Sequence, residues 1–223
     1  KTIQGGKKQA EKVMRDMIHE LETKTFVKDN RITVRDFMHQ WLEIYVKNQL
    51  SPTTVQHYID QTEKYIIPQF GDTCLQQLKN IDIQKWIFSL QKASPRTGKP
   101  LSPKTIKNVH GVLHKALDKA AELRYIAFNP SDPCTLPRIK KKEVKPLEQS
   151  EIAAFLKAVQ GSRYENLFTV VLFTGLREGE ALGLSWDKVD FTNGTILVNT
   201  QLQQAKKRGG NYYLAETKSS KGR

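Results

Sequence analysis

Leu167-Phe168-Thr169-Val170-Val171-Leu172-Phe173-Thr174-Gly175-Leu176-Arg177-Glu178-Gly179-Glu180-Ala181-Leu182-Gly183-Leu184 runs from an apolar helical segment through a glycine turn into a second, short helix, with one arginine at the joint. The run Leu167 to Phe173 is almost wholly apolar, so a buried helix is expected there, carrying Arg177 to the rim of the core. A guanidinium held in that way presents a rigid fork of donors to a phosphate or a carboxylate. The plainer alternative is a surface ion pair with Glu178 or Glu180. Working outward, Gly194 to Gln203 and Asn211 to Thr217 read as strands joined by a basic turn, Ala205-Lys206-Lys207-Arg208-Gly209-Gly210. Upstream, Ser150-Glu151-Ile152 opens a helix with Phe155, Leu156 and Val159 on one side. The fold class expected is mainly α with a small antiparallel β-sheet.

The 223 residues suffice for two small domains, and 38% of them are hydrophobic, enough for real cores under a polar surface. A formal charge of +13 points to a polyanion, with nucleic acid ahead of a membrane surface. No apolar run approaches the roughly 20 residues of a membrane span, and Lys1-Thr2-Ile3-Gln4-Gly5-Gly6-Lys7-Lys8 lacks the apolar stretch of a signal peptide, so a cytoplasmic protein is expected. Cys74 and Cys134 stand apart with no spaced Cys/His cluster, which argues against a disulfide framework and a structural zinc site. No Gly-x-x-x-x-Gly-Lys-Ser/Thr loop, His-Glu-x-x-His pair or Gly-x-Ser-x-Gly elbow occurs. Trp41, Trp86 and Trp186 are spaced as core residues.

Residues 1–30 hold a helical candidate from Lys8 to Thr25. Residues 31–128 read as a helical domain. Thr33 begins a helix with Val34, Phe37, Met38, Trp41, Leu42 and Tyr45 on one face. Ser51-Pro52-Thr53-Thr54-Val55 and Ser102-Pro103-Lys104-Thr105-Ile106 then repeat one pattern, each a helix start with serine at the cap and proline in the first turn. A shorter helix from Asp82 to Gln91 lies between them, which makes four helices and a compact α unit. The two starts are either simply well capped or phosphate sites, with Thr53, Thr54 and Thr105 at free amides and Lys104, Lys107, Asn108, Lys115 and Lys119 opposite an apolar stripe. Residues 129–146, with prolines and the basic residues Arg138, Lys140, Lys141 and Lys142, read as an extended linker. It is either a strap on DNA or an ordinary solvated tether. Residues 147–223 form the second domain.

The stretch Thr-Gly-Leu-Arg-x-Gly-Glu-x-Leu-x-Leu, followed by Trp186-Asp187-x-Val189-Asp190-Phe191 and Thr195-Ile196-Leu197-Val198, resembles the first arginine box of the tyrosine recombinases, the integrases of phages and conjugative transposons. Leu147-x-x-Ser150-Glu151-Ile152 resembles the opening of their catalytic domain, and residues from about 33 to 125 resemble their core-binding (SAM-like) domain. The resemblance implies a site-specific recombinase that cuts and rejoins DNA through a phosphotyrosyl link during integration or excision of a mobile element, with no metal or cofactor. Double-stranded DNA, a homotetramer, accessory DNA-bending or excision proteins and a bacterial, nucleoid-associated location are implied with it. By family position Arg177 binds the scissile phosphate, Glu180 supports it, and Lys218, in Thr217-Lys218-Ser219-Ser220-Lys221, is the general acid. Glu180 also reads as a solvated first-turn glutamate, and Lys218 as a solvated turn lysine with Lys221 as its rival.

Two family features are missing: no histidine has arginine three residues later, and Tyr212 and Tyr213 precede Lys218 in a strand-like segment, whereas the family's nucleophile follows it. The chain is therefore expected to be a fragment that binds DNA without cleaving it. The alternative from another class is a non-enzymatic DNA-binding regulator or architectural protein of the same fold. An RNA-binding helical protein also fits the charge but leaves Arg177 unexplained.

Overall fold

A computed structural model describes residues 6–22, 27, 30–140, 143–204 and 210–217. The chain divides into two units between Lys140 and Lys141.

In the first unit, helix α1 spans Lys7–Glu22. Then come α2 (Val34–Trp41), a widened π-type turn (Leu42–Val46) and α3 (Lys47–Gln49), which together make one continuous helix. Thr33 caps it by accepting from the Asp36 N–H at 3.1 Å. The next helix is built the same way, from α4 (Pro52–Gln61), a π-type turn (Thr62–Ile66) and α5 (Ile67–Phe70). That second widened turn lies just ahead of Pro68, whose missing N–H and ring bulk a regular α-turn would not tolerate. Helices α6 (Asn80–Lys92) and α7 (Pro103–Glu122) complete the four-helix arrangement.

The core follows from the stripes. Val34, Phe37, Met38 and Trp41 meet Ile83, Trp86, Ile87 and Leu90 around α7, which buries Ile106, Val109, Leu113, Ala116, Leu117 and Ala120. Each large aliphatic side chain buried here contributes about 1.5–3 kcal/mol. Trp41 stacks on Tyr58 with centroids 5.8 Å apart, and Phe70 meets Trp86 edge-on at 5.1 Å. Helix α7 ends in a Schellman turn, the Tyr125 N–H donating to the Ala120 carbonyl and the Arg124 N–H to the Ala121 carbonyl. Arg124 holds the left-handed position, φ 61°, where glycine is usual.

The segment expected to begin a free linker is docked over its first residues. The Asn129 side-chain amide donates to the His114 carbonyl and to Asp118, and Asn80 donates to the Pro130 carbonyl and the Cys134 sulfur. Gln84 and Thr135 exchange two hydrogen bonds. His110 donates to the Ser131 carbonyl at 3.2 Å; its burial lowers its pKa, and the carbonyl partly opposes this. Burial pushes the Cys134 thiol up, and both cysteines are free.

In the second unit, α8 (Gln149–Val159), α9 (Glu165–Thr174) and α10 (Glu178–Leu182) precede two separate hairpins. Strands β1 (Val189–Asp190) and β2 (Thr195–Ile196) form one, β3 (Thr200–Gln204) and β4 (Tyr212–Glu216) the other, with Leu202 opposite Leu214. The strand expected over Gly194 to Gln203 is thus split between two small sheets. Tyr212 and Tyr213 lie on β4, as strand residues.

Two burial expectations fail in this unit. No residue of α9 is buried, and Phe173 is 74% exposed. A helix apolar on every side needs neighbours on every side, and among the described residues α8 and α10 are its main neighbours. Trp186 is likewise not a core residue: it is 81% exposed and stacks on the exposed Phe191, whereas Trp41 and Trp86 are buried.

Helix α10 lies flat on β3 because Gly179 and Gly183 face it. A Cβ at Gly183 would stand 2.7 Å from the Leu202 nitrogen, and one at Gly179 would stand 3.0 Å from the Leu202 oxygen. Backbone atoms cannot step aside as side chains do. Gly183→Ala is therefore expected to destabilise the second unit by about 1–3 kcal/mol, read as faster proteolysis of that unit with the first unit intact. Equal cleavage rates would show that α10 is free to lift.

Candidate anion site and nucleic-acid interface

The joint in the quoted stretch is built by its glycine. Gly175 ends α9 in the left-handed conformation, φ 68°, and returns its N–H to the Val171 carbonyl. Leu176 then buries beside it, and Arg177 follows as the N-cap residue of α10. Glu180, one turn on, accepts the Arg177 backbone N–H at 3.0 Å and its Nη1 at 2.7 Å. The Glu180 side chain is 6% exposed and that of Arg177 66%.

This differs from a solvent-exposed pair because one partner is fixed in the interior. The carboxylate satisfies an otherwise open first-turn amide and orients the guanidinium, whose other donors have no partner among the described residues. A cation so held offers an anion a preorganised fork. Lys218 lies outside the described residues, as do Lys141 and Lys142.

In the first unit α4 packs on α7, but the two Ser-Pro starts lie toward opposite ends of α7: Leu50, next to the first, sits with Asp118, Lys119 and Glu122 near the end of α7, whereas Ser102 begins it. Only the second uses its serine as a cap: Ser102 accepts the Thr105 N–H at 3.1 Å, while Ser51 instead pairs with the Thr53 and Thr54 hydroxyls. Lys104 is exposed and Lys107 partly so, neither with a partner among the described residues. Lys115 and Lys119 are already engaged. Lys115 donates to the Tyr58 hydroxyl at 2.9 Å, and Lys119 donates to Glu122 at 2.6 Å above the Tyr45 ring. Arg138 and Lys140 are exposed.

Residues 33–91 match the family described as "Phage integrase, N-terminal SAM-like domain", and residues 143–219 match "Phage integrase family". The chain belongs to the phage integrase family of tyrosine recombinases. A tyrosine recombinase XerC-like protein of Caldanaerobacter subterraneus subsp. tengcongensis is 29% identical to this chain over 89% of the chain and 51% of its own length. The ICEBs1 integrase of Bacillus subtilis is 31% identical over 58% of the chain and 36% of its own. Among solved structures, the Tn1549 transposon integrase in complex with transposon right end DNA matches with a TM-score of 0.70 at 25% identity, over 84% of this chain and 58% of that one. The lambda integrase dimer bound to a COC′ core site shares the fold at a TM-score of 0.60 and 14% identity, over 96% and 59% of the two chains. The chain spans about half the length of the curated relatives it matches.

Sequence reasoning missed two groups in this chain. The Asn129 dock and its His114–Asp118–Asp132 ion pairs were masked by the prolines around them, although Asn-Pro is a turn signal that a side-chain amide often anchors. The close fit of Gly179 and Gly183 on β3 was visible only as two glycines four apart. Among the described residues no helix is long and apolar enough to cross a membrane.

Proposed function

We propose that this chain supplies the DNA grip and the first phosphate-binding group of a site-specific recombinase. In that reaction a tyrosine oxygen bonds to the scissile phosphorus, the sugar 5′ oxygen leaves with a proton from a general acid, and a later hydroxyl reverses the exchange. The phosphorane between them gathers charge on its non-bridging oxygens. Arg177 donates to those oxygens, Glu180 holds Arg177, and Lys218 is the acid. Duplex DNA lies against Thr53, Thr54, Lys104, Thr105 and Lys107, with Arg138 and Lys140 to Lys142 along its backbone. Lys115 and Lys119 act from the surface of α7, steadied by Tyr58 and Tyr45. The working assembly is a tetramer on a recombination site in the bacterial cytoplasm, helped by accessory DNA-bending proteins.

The observation that carries this reading is the clasp: an exposed guanidinium oriented by a buried carboxylate at the residue where the family places its phosphate ligand. The binding half is tested by a salt titration with duplex DNA. Log affinity is expected to fall with log salt at about −0.9 per neutralised phosphate, so roughly six contacts give a slope near −5. A slope near zero would overturn the DNA grip.

A further inference from the structure

The outward face of α7 changes character along its length. From Pro103 to Leu117 it carries Lys104, Lys107 and Lys115 and no acidic residue; Asp118 and Glu122 follow. Lys104, Lys107 and Asn108 have no hydrogen-bond or ion-pair partner among the described residues, whereas His114 is paired with Asp118 and Asp132 and Lys119 with Glu122. Between the open half and the paired half sits Gly111. Its surface neighbours on the helix, three and four residues away, are Lys107, Asn108, His114 and Lys115.

A glycine in the middle of a 20-residue helix needs a reason, because alanine there is better by about 1 kcal/mol. Gly179 and Gly183 have one inside the molecule, the backbone of β3. Gly111 has none: nothing lies within 4 Å of the place its Cβ would occupy. The helix gives up stability at a point where this chain packs nothing, on the part of its face with unanswered positive charge.

We propose that Gly111 is the point of closest approach of duplex DNA, where a sugar–phosphate strand lies directly on the α7 backbone while Lys104, Lys107 and Asn108 hold the phosphates beside it. This rests on the reading of the chain as a DNA-binding protein. A side chain at residue 111 stands the strand off the helix and lengthens the neighbouring phosphate contacts together. The same side chain improves the helix. Stability and affinity therefore move in opposite directions, which no purely structural role for Gly111 produces.

The test uses the 223-residue chain with Gly111→Ala and Gly111→Gln, read by thermal unfolding of the first unit and by binding to a 30-base-pair duplex of random sequence. Both variants are expected to unfold at or above the temperature of the unaltered chain. Affinity is expected to fall about fivefold for alanine and about thirtyfold or more for glutamine, a graded loss of close contact. The Lys104→Ala/Lys107→Ala pair serves as reference and should reduce the salt slope by about 2. If that pair weakens binding while both Gly111 variants bind normally, the close approach is wrong and the DNA face stands. If neither set changes an otherwise salt-dependent binding, the DNA lies elsewhere and both ideas fall. Weaker binding accompanied by a lower unfolding temperature would also overturn the proposal, since the glycine would then serve the fold.

Discussion

Arg177→Lys, in a polypeptide that joins this chain to a nucleophilic tyrosine, is expected to lower strand cleavage on a suicide duplex by about a hundredfold or more while duplex affinity stays within a few-fold. Lysine keeps the charge, so the long-range attraction for DNA survives. It loses the planar fork. In the present geometry one guanidinium nitrogen is committed to Glu180, leaving the others for the phosphate. An ammonium on a flexible stem cannot satisfy Glu180 and two phosphoryl oxygens in one fixed arrangement. Removing a preorganised donor of this kind raises a barrier by about 2.7–4 kcal/mol. Equal losses of binding and cleavage would instead make Arg177 an ordinary phosphate contact.

Lys218→Ala is expected to reduce cleavage on the same scale, about a hundredfold, with a different chemical signature. A leaving-group acid is dispensable when the leaving atom needs no proton. A duplex with a 5′-bridging phosphorothiolate at the scissile position releases a thiolate, so the Lys218→Ala defect should largely vanish on that substrate. The Arg177→Lys defect should persist there, because the non-bridging oxygens are unchanged. Rescue of Arg177→Lys alone would exchange the two roles. Unchanged cleavage in both variants would place the active site in another part of the chain.

The helical half of the molecule was legible because its signals are local and periodic. Thr33 and Ser102 announced caps that the structure contains, and the stripes through Val34–Trp41 and Ile106–Ala120 are the buried faces. The second half was legible as motifs but not as burial. Leu167–Phe173 and Trp186 look like core residues in any window, yet burial depends on what covers a surface, and composition does not report the cover. The split into two hairpins was hidden for a related reason. The segment from Gly194 to Gln203 is uniformly strand-like, and only the partner strands divide it after Ile196. At the site, the arginine was evident and its restraint was not, since a glutamate three residues on reads alike whether it faces solvent or the interior. Lys115 and Lys119 looked like free cations because their aromatic neighbours come from helices about sixty residues or more away.

The Asn129 dock has a consequence for how two linked units share one polymer. A tether running from residue 129 to 146 would be eighteen residues long, whereas one that starts after Leu136 and ends at the same residue has ten, at most about 36 Å when fully drawn out. The local concentration of one unit around a ligand held by the other rises roughly as the −3/2 power of tether length, here about twofold. The side-chain amides of Asn80, Gln84 and Asn129 thus act as a length adjuster, setting how much free chain separates the two units.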